Sequence, residues 1–242
     1  MSATVLAAVG LAREAKIAAR LGLTPVISGA DGKLLERRLV AASAGARAVV
    51  SFGIAGALAP LLHVGDLLVV SHVVAGDEHY SCDQAWSQIL RTKLPGAHSC
   101  VIAGVDRVVG HIASKQNLFR TTGAHAVDME SHIAARFARE RGLPFVVLRA
   151  VSDESVRVLP PAALVPLKQS GKPHLTAILK SLLQEPDQLS ELMQTGREAK
   201  AAMRSLLRCG DLVGPGLGCP YLGEFGLDMA REDKLGRPLV RQ

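Results

Sequence analysis

Two carboxylates, Glu130 and Asp153, stand at the two ends of a segment whose pattern predicts a helix followed by a buried strand. The helical part, residues 129–141, has apolar side chains on one face, and the strand, residues 145–151, is almost continuously apolar. Ser152 and Asp153 follow that strand directly, where ligands bind in open α/β sheets. The pattern therefore predicts a ligand site that contains both carboxylates.

A second candidate site lies near the N-terminus. Residues 4–10 are typical of a buried strand that ends at Gly10, and an amphipathic helix follows. Backbone amides at the start of a helix favour anions, and Arg13 and Glu14 fall in the first helical turn. Two interpretations stay open: an anion site, or a simple tight turn at Gly10 with both charges on a solvated face.

A third candidate is the pair Gly53 and Gly56, which we expect to break the β-rich run of residues 48–52. Without a Cβ atom, these positions would let the backbone approach a ligand closely. Ordinary strand-to-helix turns use the same residues, so the pair alone is weak evidence.

The composition predicts an α/β protein. Of the 242 residues 48% are hydrophobic but only 3% aromatic, so the core must be built from small and branched aliphatic side chains. We expect one α/β domain over residues 1–208, with a central mixed sheet flanked by helices and two closing helices over residues 175–183 and 187–208. The polar segment 76–99 is predicted to be a surface loop, and the Gly- and Pro-rich tail 209–242 to be irregular or partly disordered.

Charge and cysteine content argue against several functions. The net charge of +6 is spread over both halves of the chain and few aromatic residues accompany it, so nucleic-acid binding is not expected. The four cysteines form no CxxC pair, and no metal site is predicted. No apolar run reaches the roughly 18 residues of a membrane-spanning helix. We expect a cytoplasmic protein, with peripheral contact to a membrane left open.

Three blocks in fixed order carry a resemblance to a known family: SFGIAGALAPLLHVGDLLVVS, AVDMESHIAARFA and VVLRAVSDES. Together they resemble the superfamily of nucleoside phosphorylases and nucleosidases, which implies a three-layer fold and an enzyme. The stretches KLLERRLVAASAGARAVVSFGIAG, TTGAHAVDMES and LKSLLQEPDQLSELM look most like the hopanoid-biosynthesis-associated phosphorylases. That resemblance covers residues 4–208 and implies release of adenine from adenosylhopane.

The resemblance also implies roles for single residues. Glu130 would accept hydrogen bonds from the ribose hydroxyls and Met129 would pack against the sugar, while Asp153 would protonate N7 of the departing purine. The remaining substrate-binding residues would be Gly53, Gly56 and Ser152. No cofactor is implied, and phosphate is an optional co-substrate. The partner is a small-molecule or lipid-linked adenine nucleoside, and relatives commonly form homo-oligomers.

Two departures leave the nucleophile open. Ile54 stands where many relatives carry a hydroxyl residue, and the glutamate that activates water in the nucleosidases aligns with Ala15, one residue after Glu14. If Glu14 takes that role, the reaction is hydrolysis. If Gly10 and Arg13 bind phosphate instead, the reaction is phosphorolysis.

The sequence leaves two rival functions open. One is a methylthioadenosine/S-adenosylhomocysteine nucleosidase or purine nucleoside phosphorylase that acts on small soluble nucleosides. The other, of a different class, is a nucleoside-binding module that has lost catalysis, which the departures at Ala15 and Ile54 would favour. A proton donor such as Asp153 argues against the second.

Overall fold

A computed structural model of the chain describes residues 3–222. This part of the chain holds eight strands and seven helices besides three short 3-10 turns. The strands are β1 (Thr4–Val9), β2 (Thr24–Ile27), β3 (Ala46–Ala57), β4 (Leu67–Ala75), β5 (Glu78–Ser81), β6 (His98–Gly104), β7 (Ala126–Asp128) and β8 (Phe145–Asp153). The helices are α1 (Ala12–Arg20), α2 (Gly32–Ala41), α3 (Gln84–Lys93), α4 (Ile112–Thr122), α5 (Ser131–Glu140), α6 (Leu175–Gln184) and α7 (Leu189–Val213).

The strands form one mixed sheet. Hydrogen-bonded neighbours follow the order β2-β1-β3-β7-β6-β4-β5, and β8 pairs with both β3 and β4. The pairs β1–β2, β1–β3 and β3–β8 are parallel, whereas β3–β7 and β4–β8 are antiparallel. Strands β3, β8, β4, β6 and β7 therefore close into a ring, and β3 is the strand that joins this ring to β1 and β2.

Both faces of the sheet are covered by helices. Successive residues of β1 point to opposite faces, so Leu6 and Ala8 belong to the core under α2 and α5, whereas Val5, Ala7 and Val9 belong to the core under α1, α3 and α7. Branched aliphatic side chains fill both layers. The prediction of a single α/β domain with a central mixed sheet between helices is confirmed.

The prediction of a surface loop over residues 76–99 is wrong. The segment contains β5 and α3, and Trp86 is fully buried. Asp83 begins α3 as an N-cap by accepting a hydrogen bond of 2.8 Å from the backbone amide of Trp86. The polar composition reflects the exposed residues of β5 and the outer face of α3, whereas Trp86 and Leu90 are buried on the inner face of the helix.

Strand β3 runs through both glycines, so the prediction that Gly53 and Gly56 break the strand is wrong. Its neighbours β1, β7 and β8 supply backbone partners along its length. The glycines instead leave room for side chains of other elements, which are Glu14 and Arg149 at Gly53 and Asp153 at Gly56.

The two closing helices are present, but the second one is longer than predicted. Helix α7 continues past Arg208 to Val213, and Leu217 is buried beyond it. The indole Nε1 of Trp86 donates a hydrogen bond of 2.7 Å to the carbonyl of Leu217. The first part of the predicted irregular tail therefore packs on the domain, which corrects the boundary at Arg208. Residues 223–242 of that tail lie outside the described residues.

Within the described residues, no helix is both long and apolar enough to cross a membrane.

Candidate active site

A cavity of about 570 Å³ lies where several strands end. Besides residues from other segments, five groups of lining residues follow or close a strand. They are Gly10, Leu11 and Glu14 after β1, Ile54, Ala55 and Gly56 in β3, Val105 to Val109 after β6, Asp128, Met129 and Glu130 at the end of β7, and Ser152 and Asp153 at the end of β8. The structure thus brings Glu14, Glu130 and Asp153 to one cavity, although they are far apart in the sequence.

Glu14 lies at the third position of α1 and is almost completely buried. The backbone amides of Gly10 and Leu11 each donate a hydrogen bond of 2.8 Å to its Oε2, and the amide of Ile54 donates one of 2.8 Å to its Oε1. The carboxylate therefore caps its own helix and ties β1 to β3. Burial, with a contribution from the neighbouring Glu130, raises the pKa of Glu14 to about 7 against the opposing effect of Arg149.

Glu130 lies directly before α5, where β7 ends. Ser28 donates a hydrogen bond of 2.9 Å to Oε1 of Glu130, and Nη2 of Arg149 lies 3.3 Å from its Oε2. Burial raises the pKa of Glu130, Arg149 opposes this, and the charge of Asp128 adds to it. The two contacts fix the plane of the carboxylate at the cavity wall.

Arg149 is the fully buried cation that these carboxylates share. Its Nε lies 2.7 Å from Oδ2 of Asp128, and its Nη2 donates a hydrogen bond of 2.6 Å to Oγ of Ser51. Arg149 is not among the functional residues predicted from the sequence. An arginine inside the apolar run of β8 was the available signal, since a buried charge requires a partner of opposite sign.

Asp153 closes β8 and contacts a second residue that the sequence analysis missed. Nζ of Lys115, on α4, donates a hydrogen bond of 2.5 Å to Oδ2 of Asp153. Ser152 donates one of 2.8 Å to Oδ1. A lysine on a helix of mixed polarity gives no sign in the sequence that it will be buried, so nothing there could have found Lys115.

Glycines allow these carboxylates to approach the backbone. A Cβ atom at Gly10 would lie 2.8 Å from Oε1 of Glu130, and one at Gly56 would lie 3.1 Å from Oδ2 of Asp153. Gly53 differs from the prediction, because it does not line the cavity. Its φ of +153° and its packing against Glu14 and Arg149 give it a role in holding the site rather than in contacting a ligand.

The predicted phosphate-binding pair is not assembled. Arg13 is exposed and lies outside the cavity, because the helical rotation that turns Glu14 inward turns Arg13 towards solvent. The amide of Gly10 already donates to Glu14. A carboxylate of the chain itself thus occupies the anion position at the start of α1.

Besides the carboxylates, the cavity has an apolar wall. It comes from the segment after β6 and from the segment around the 3-10 turn Pro161–Ala163. Its members are Val105, Val108, Val109, Leu159, Leu164, Val165, Pro166 and Leu167. Within residues 3–222, no group of three His, Cys, Asp or Glu side chains is arranged to hold a metal ion.

This arrangement suits a ligand with a polar end and an apolar end. A buried carboxylate with a pKa of about 7 can take up and release a proton near neutral pH. Glu130 offers two acceptor oxygens to hydroxyl groups, and Asp153 lies at the same cavity with the Lys115 ammonium behind it.

Comparisons with known proteins give the family and the fold of the chain. A model of the Phosphorylase superfamily matches residues 31–182, more than half of the chain. No curated protein matches the chain. Futalosine hydrolase of Helicobacter pylori has a similar structure, with a TM-score of 0.58 and 18% identity over 76% of this chain and 99% of that one.

Two further solved structures have the same fold. The 5'-methylthioadenosine/S-adenosyl homocysteine nucleosidase of Helicobacter pylori gives a TM-score of 0.57 at 16% identity, over 87% of this chain and 99% of that one. The S-adenosylhomocysteine nucleosidase of Streptococcus pyogenes gives 0.55 at 18% identity, over 86% and 97%. With its fold, its cavity and its family match considered together, the chain belongs to the phosphorylase superfamily and is an enzyme of the kind that cleaves N-glycosidic bonds.

Proposed function

We propose that this enzyme hydrolyses the N-glycosidic bond of an adenine nucleoside in the cytoplasm. The observation that carries the proposal is the convergence of Glu14, Glu130 and Asp153 on one cavity with an apolar wall. Each carboxylate has a different environment, so each can take a different part in the reaction.

Water is the proposed nucleophile, and Glu14 is its base. The three amides that hold Glu14 orient its carboxylate, and a pKa of about 7 suits a base that works near neutral pH. Phosphate is disfavoured by electrostatics. The carboxylates Glu14, Asp128 and Glu130 share one buried cation, Arg149, and the buried ammonium of Lys115 is already paired with Asp153. A phosphate anion would therefore enter a site with an excess of negative charge.

Glu130 and Asp153 are proposed to act on the two halves of the substrate. Glu130 accepts hydrogen bonds from the ribose hydroxyls, with Met129 against the sugar, and negative charge on Glu14 and Glu130 stabilises the oxocarbenium-like transition state. Asp153, beside Ser152 and Gly56, passes a proton to N7 so that the base leaves neutral.

The preferred substrate is adenosylhopane, proposed from the resemblance described above and supported by two apolar features. One is the apolar cavity wall. The other is α6, which packs on the turn Pro161–Ala163 of that wall and buries none of its own residues. Its side chains Leu175, Leu179 and Leu183 are between 58% and 74% exposed. We propose that this face contacts a membrane surface or a second copy of the chain in a homo-oligomer.

The alternative is a methylthioadenosine/S-adenosylhomocysteine nucleosidase. It is favoured by the similarity to solved nucleosidases of that specificity. A nucleoside-binding module without catalysis is the third possibility, and it predicts binding of adenosine with no release of adenine.

The deciding experiment measures free adenine from adenosine, methylthioadenosine and adenosylhopane, each with and without phosphate. The proposal expects release from adenosylhopane at least tenfold faster than from the two soluble nucleosides, without need for phosphate. Glu14→Gln and Asp153→Asn should each lower the rate by about 10²-fold or more. Glu140→Gln, which removes an exposed carboxylate outside the cavity, is the matched control and should not.

Three other outcomes of this experiment would contradict parts of the proposal. Faster release from methylthioadenosine would favour the alternative substrate, and a strict need for phosphate would refute water as the nucleophile. Binding without any adenine release would refute catalysis.

A further inference from the structure

The side chain of Lys115 is fully buried, which is rare for a lysine. No part of its side chain is exposed, and it is the one buried lysine among residues 3–222. Its Nζ donates three hydrogen bonds: 2.5 Å to Oδ2 of Asp153, 2.7 Å to the carbonyl of Glu154 and 3.1 Å to the carbonyl of Arg157. All three N–H groups of an ammonium are therefore used, so this network fits the protonated amine.

The same network makes Asp153 an acceptor at both oxygens. Oδ2 accepts from Lys115, and Oδ1 accepts from the hydroxyl of Ser152. The hydroxyl of Ser152 also lies 3.2 Å from the carbonyl oxygen of Ala55, so this hydroxyl alone does not decide where the proton is. The deciding contact is the one at Oδ2, because an ammonium that donates a hydrogen bond of 2.5 Å is the partner of an ionised carboxylate. The proton nearest to the leaving-group side of the cavity is thus on Lys115.

The geometry points to a proton relay, and we propose that Lys115 stores the proton that Asp153 hands to the departing base. This inference rests on the proposed function and adds a residue to it. Asp153 touches the base, whereas Lys115 does not line the cavity and acts through Asp153 as a positioning residue. Oδ2 is the atom that faces both partners, since it accepts from Lys115 and lies nearest to Gly56 at the cavity wall.

As the bond between C1' and N9 breaks, its electron pair goes to the base. A proton moves from Nζ of Lys115 to Oδ2 of Asp153 and from there to N7, which leaves a neutral base, an ionised Asp153 and a neutral lysine amine. The water oxygen bonds to C1', and its proton goes to Glu14. After product release Glu14 gives up that proton to water in the cavity, and Lys115 regains one through Asp153.

A purely structural Lys115 would predict something different. If the lysine only clamps the segment from Asp153 to Arg157, its loss would slow every substrate alike by loosening the site. If it supplies a proton, its loss matters only where the leaving group needs one.

The test therefore varies the leaving group. Purified Lys115→Met, Lys115→Arg and Asp153→Asn are compared with the wild type on the adenine nucleoside that the wild type cleaves best and on 4-nitrophenyl β-D-ribofuranoside, whose phenolate leaves without protonation. Arginine keeps the positive charge but cannot release a proton. All three variants should lose about 10²-fold or more in kcat on the adenine nucleoside. On the nitrophenyl riboside they should match the wild type.

Two controls sharpen the result. Lys33→Met, at an exposed position outside the cavity, should leave both rates unchanged. The double variant of Lys115→Met with Asp153→Asn should be no slower on the adenine nucleoside than either single variant, because both act on one step. Equal slowing of both substrates by Lys115→Arg, or unchanged adenine release, would overturn the relay.

A second measurement keeps the inference testable if a Lys115 variant does not fold or if the wild type cleaves no nucleoside. The infrared difference spectrum between the wild type and Asp153→Asn should show an ionised carboxylate at Asp153 in the resting protein. The carbonyl band of a protonated acid would overturn the relay. A wild type without any nucleosidase activity would instead refute the proposed function, so the two failures are distinguishable.

Discussion

The variant Glu14→Gln should gain stability relative to the wild type as the pH rises. The quantity compared is the difference between the free energies of unfolding of the two proteins. Burial raises the pKa of Glu14 from an ordinary value of 4.5 to about 7. In the unfolded chain this carboxyl ionises at its ordinary pKa, so between the two values the folded state binds the proton more tightly. The wild type therefore loses stability from Glu14 as the pH rises through this window, and glutamine has no such proton to lose.

The size of the effect follows from the two pKa values. Each pH unit between them is worth about 1.36 kcal/mol, so the full penalty is roughly 3 kcal/mol, of which about 2.5 kcal/mol develops between pH 5 and pH 8. Glutamine also has one acceptor oxygen where Glu14 has two, so the amide of Ile54 loses its partner. That loss costs about 1–3 kcal/mol, but it is the same at both pH values and cancels in the comparison.

The assay is urea unfolding of both proteins at pH 5 and pH 8. Fluorescence of the single tryptophan, the buried Trp86, reports the transition. Glu140→Gln, at an exposed position, measures the general effect of removing one carboxylate. The difference in free energy of unfolding between the wild type and Glu14→Gln should shift by about 2–3 kcal/mol in favour of the variant from pH 5 to pH 8. A difference that is the same at both pH values would refute the raised pKa and, with it, the argument for Glu14 as a base near neutral pH.

Three further predictions concern the frame of the site. Arg149→Met should lower the free energy of unfolding by about 3–5 kcal/mol, because it leaves Asp128 buried without a cation; urea unfolding measures this, and a loss below 1 kcal/mol would contradict it. Gly53→Ala should reduce the yield of folded protein in a solubility assay, since its Cβ would lie 2.6 Å from Nη1 of Arg149 at a φ of +153°; normal yield and Tm would show that the strand relaxes. A chain ending at Arg208 should melt at a lower temperature than one ending at Leu222, because only the longer chain keeps the buried end of α7; equal Tm values would place the domain boundary at Arg208 after all.

Much of the fold could be predicted from the sequence because local patterns reported burial correctly. Continuous apolar runs marked β1, β3 and β8, which are covered on both faces, and a 3.6-residue period marked α5. The prediction failed at residues 76–99, where the helix α3 buries a narrow stripe around Trp86 and shows a polar face. Short strands such as β7, with three residues, carry too little pattern to be recognised.

The candidate site was predicted in part. Glu130, Asp153 and Glu14 all line the cavity, as do Met129, Ser152, Gly10 and Gly56. Gly53 and Arg13 do not. The roles of the cavity-lining residues in catalysis and binding stay predictions until the adenine-release experiment is done. Ile54 lacks the hydroxyl that many relatives carry at this position, but its contact with Glu14 is made by its backbone amide. The identity of the side chain at position 54 therefore does not predict this contact.

The sequence by itself determined the class of fold, the family and the two carboxylates that border α5 and β8, since apolar periodicity and short motifs are local properties. Only the tertiary structure decided which charges share one environment. Arg149 stands between Asp128 and Glu130, and Lys115 stands behind Asp153, through contacts that span up to 38 positions of the chain. Burial of a charge depends on what packs around it in space, so the raised pKa of Glu14 and the pairing of Asp153 could be found only there.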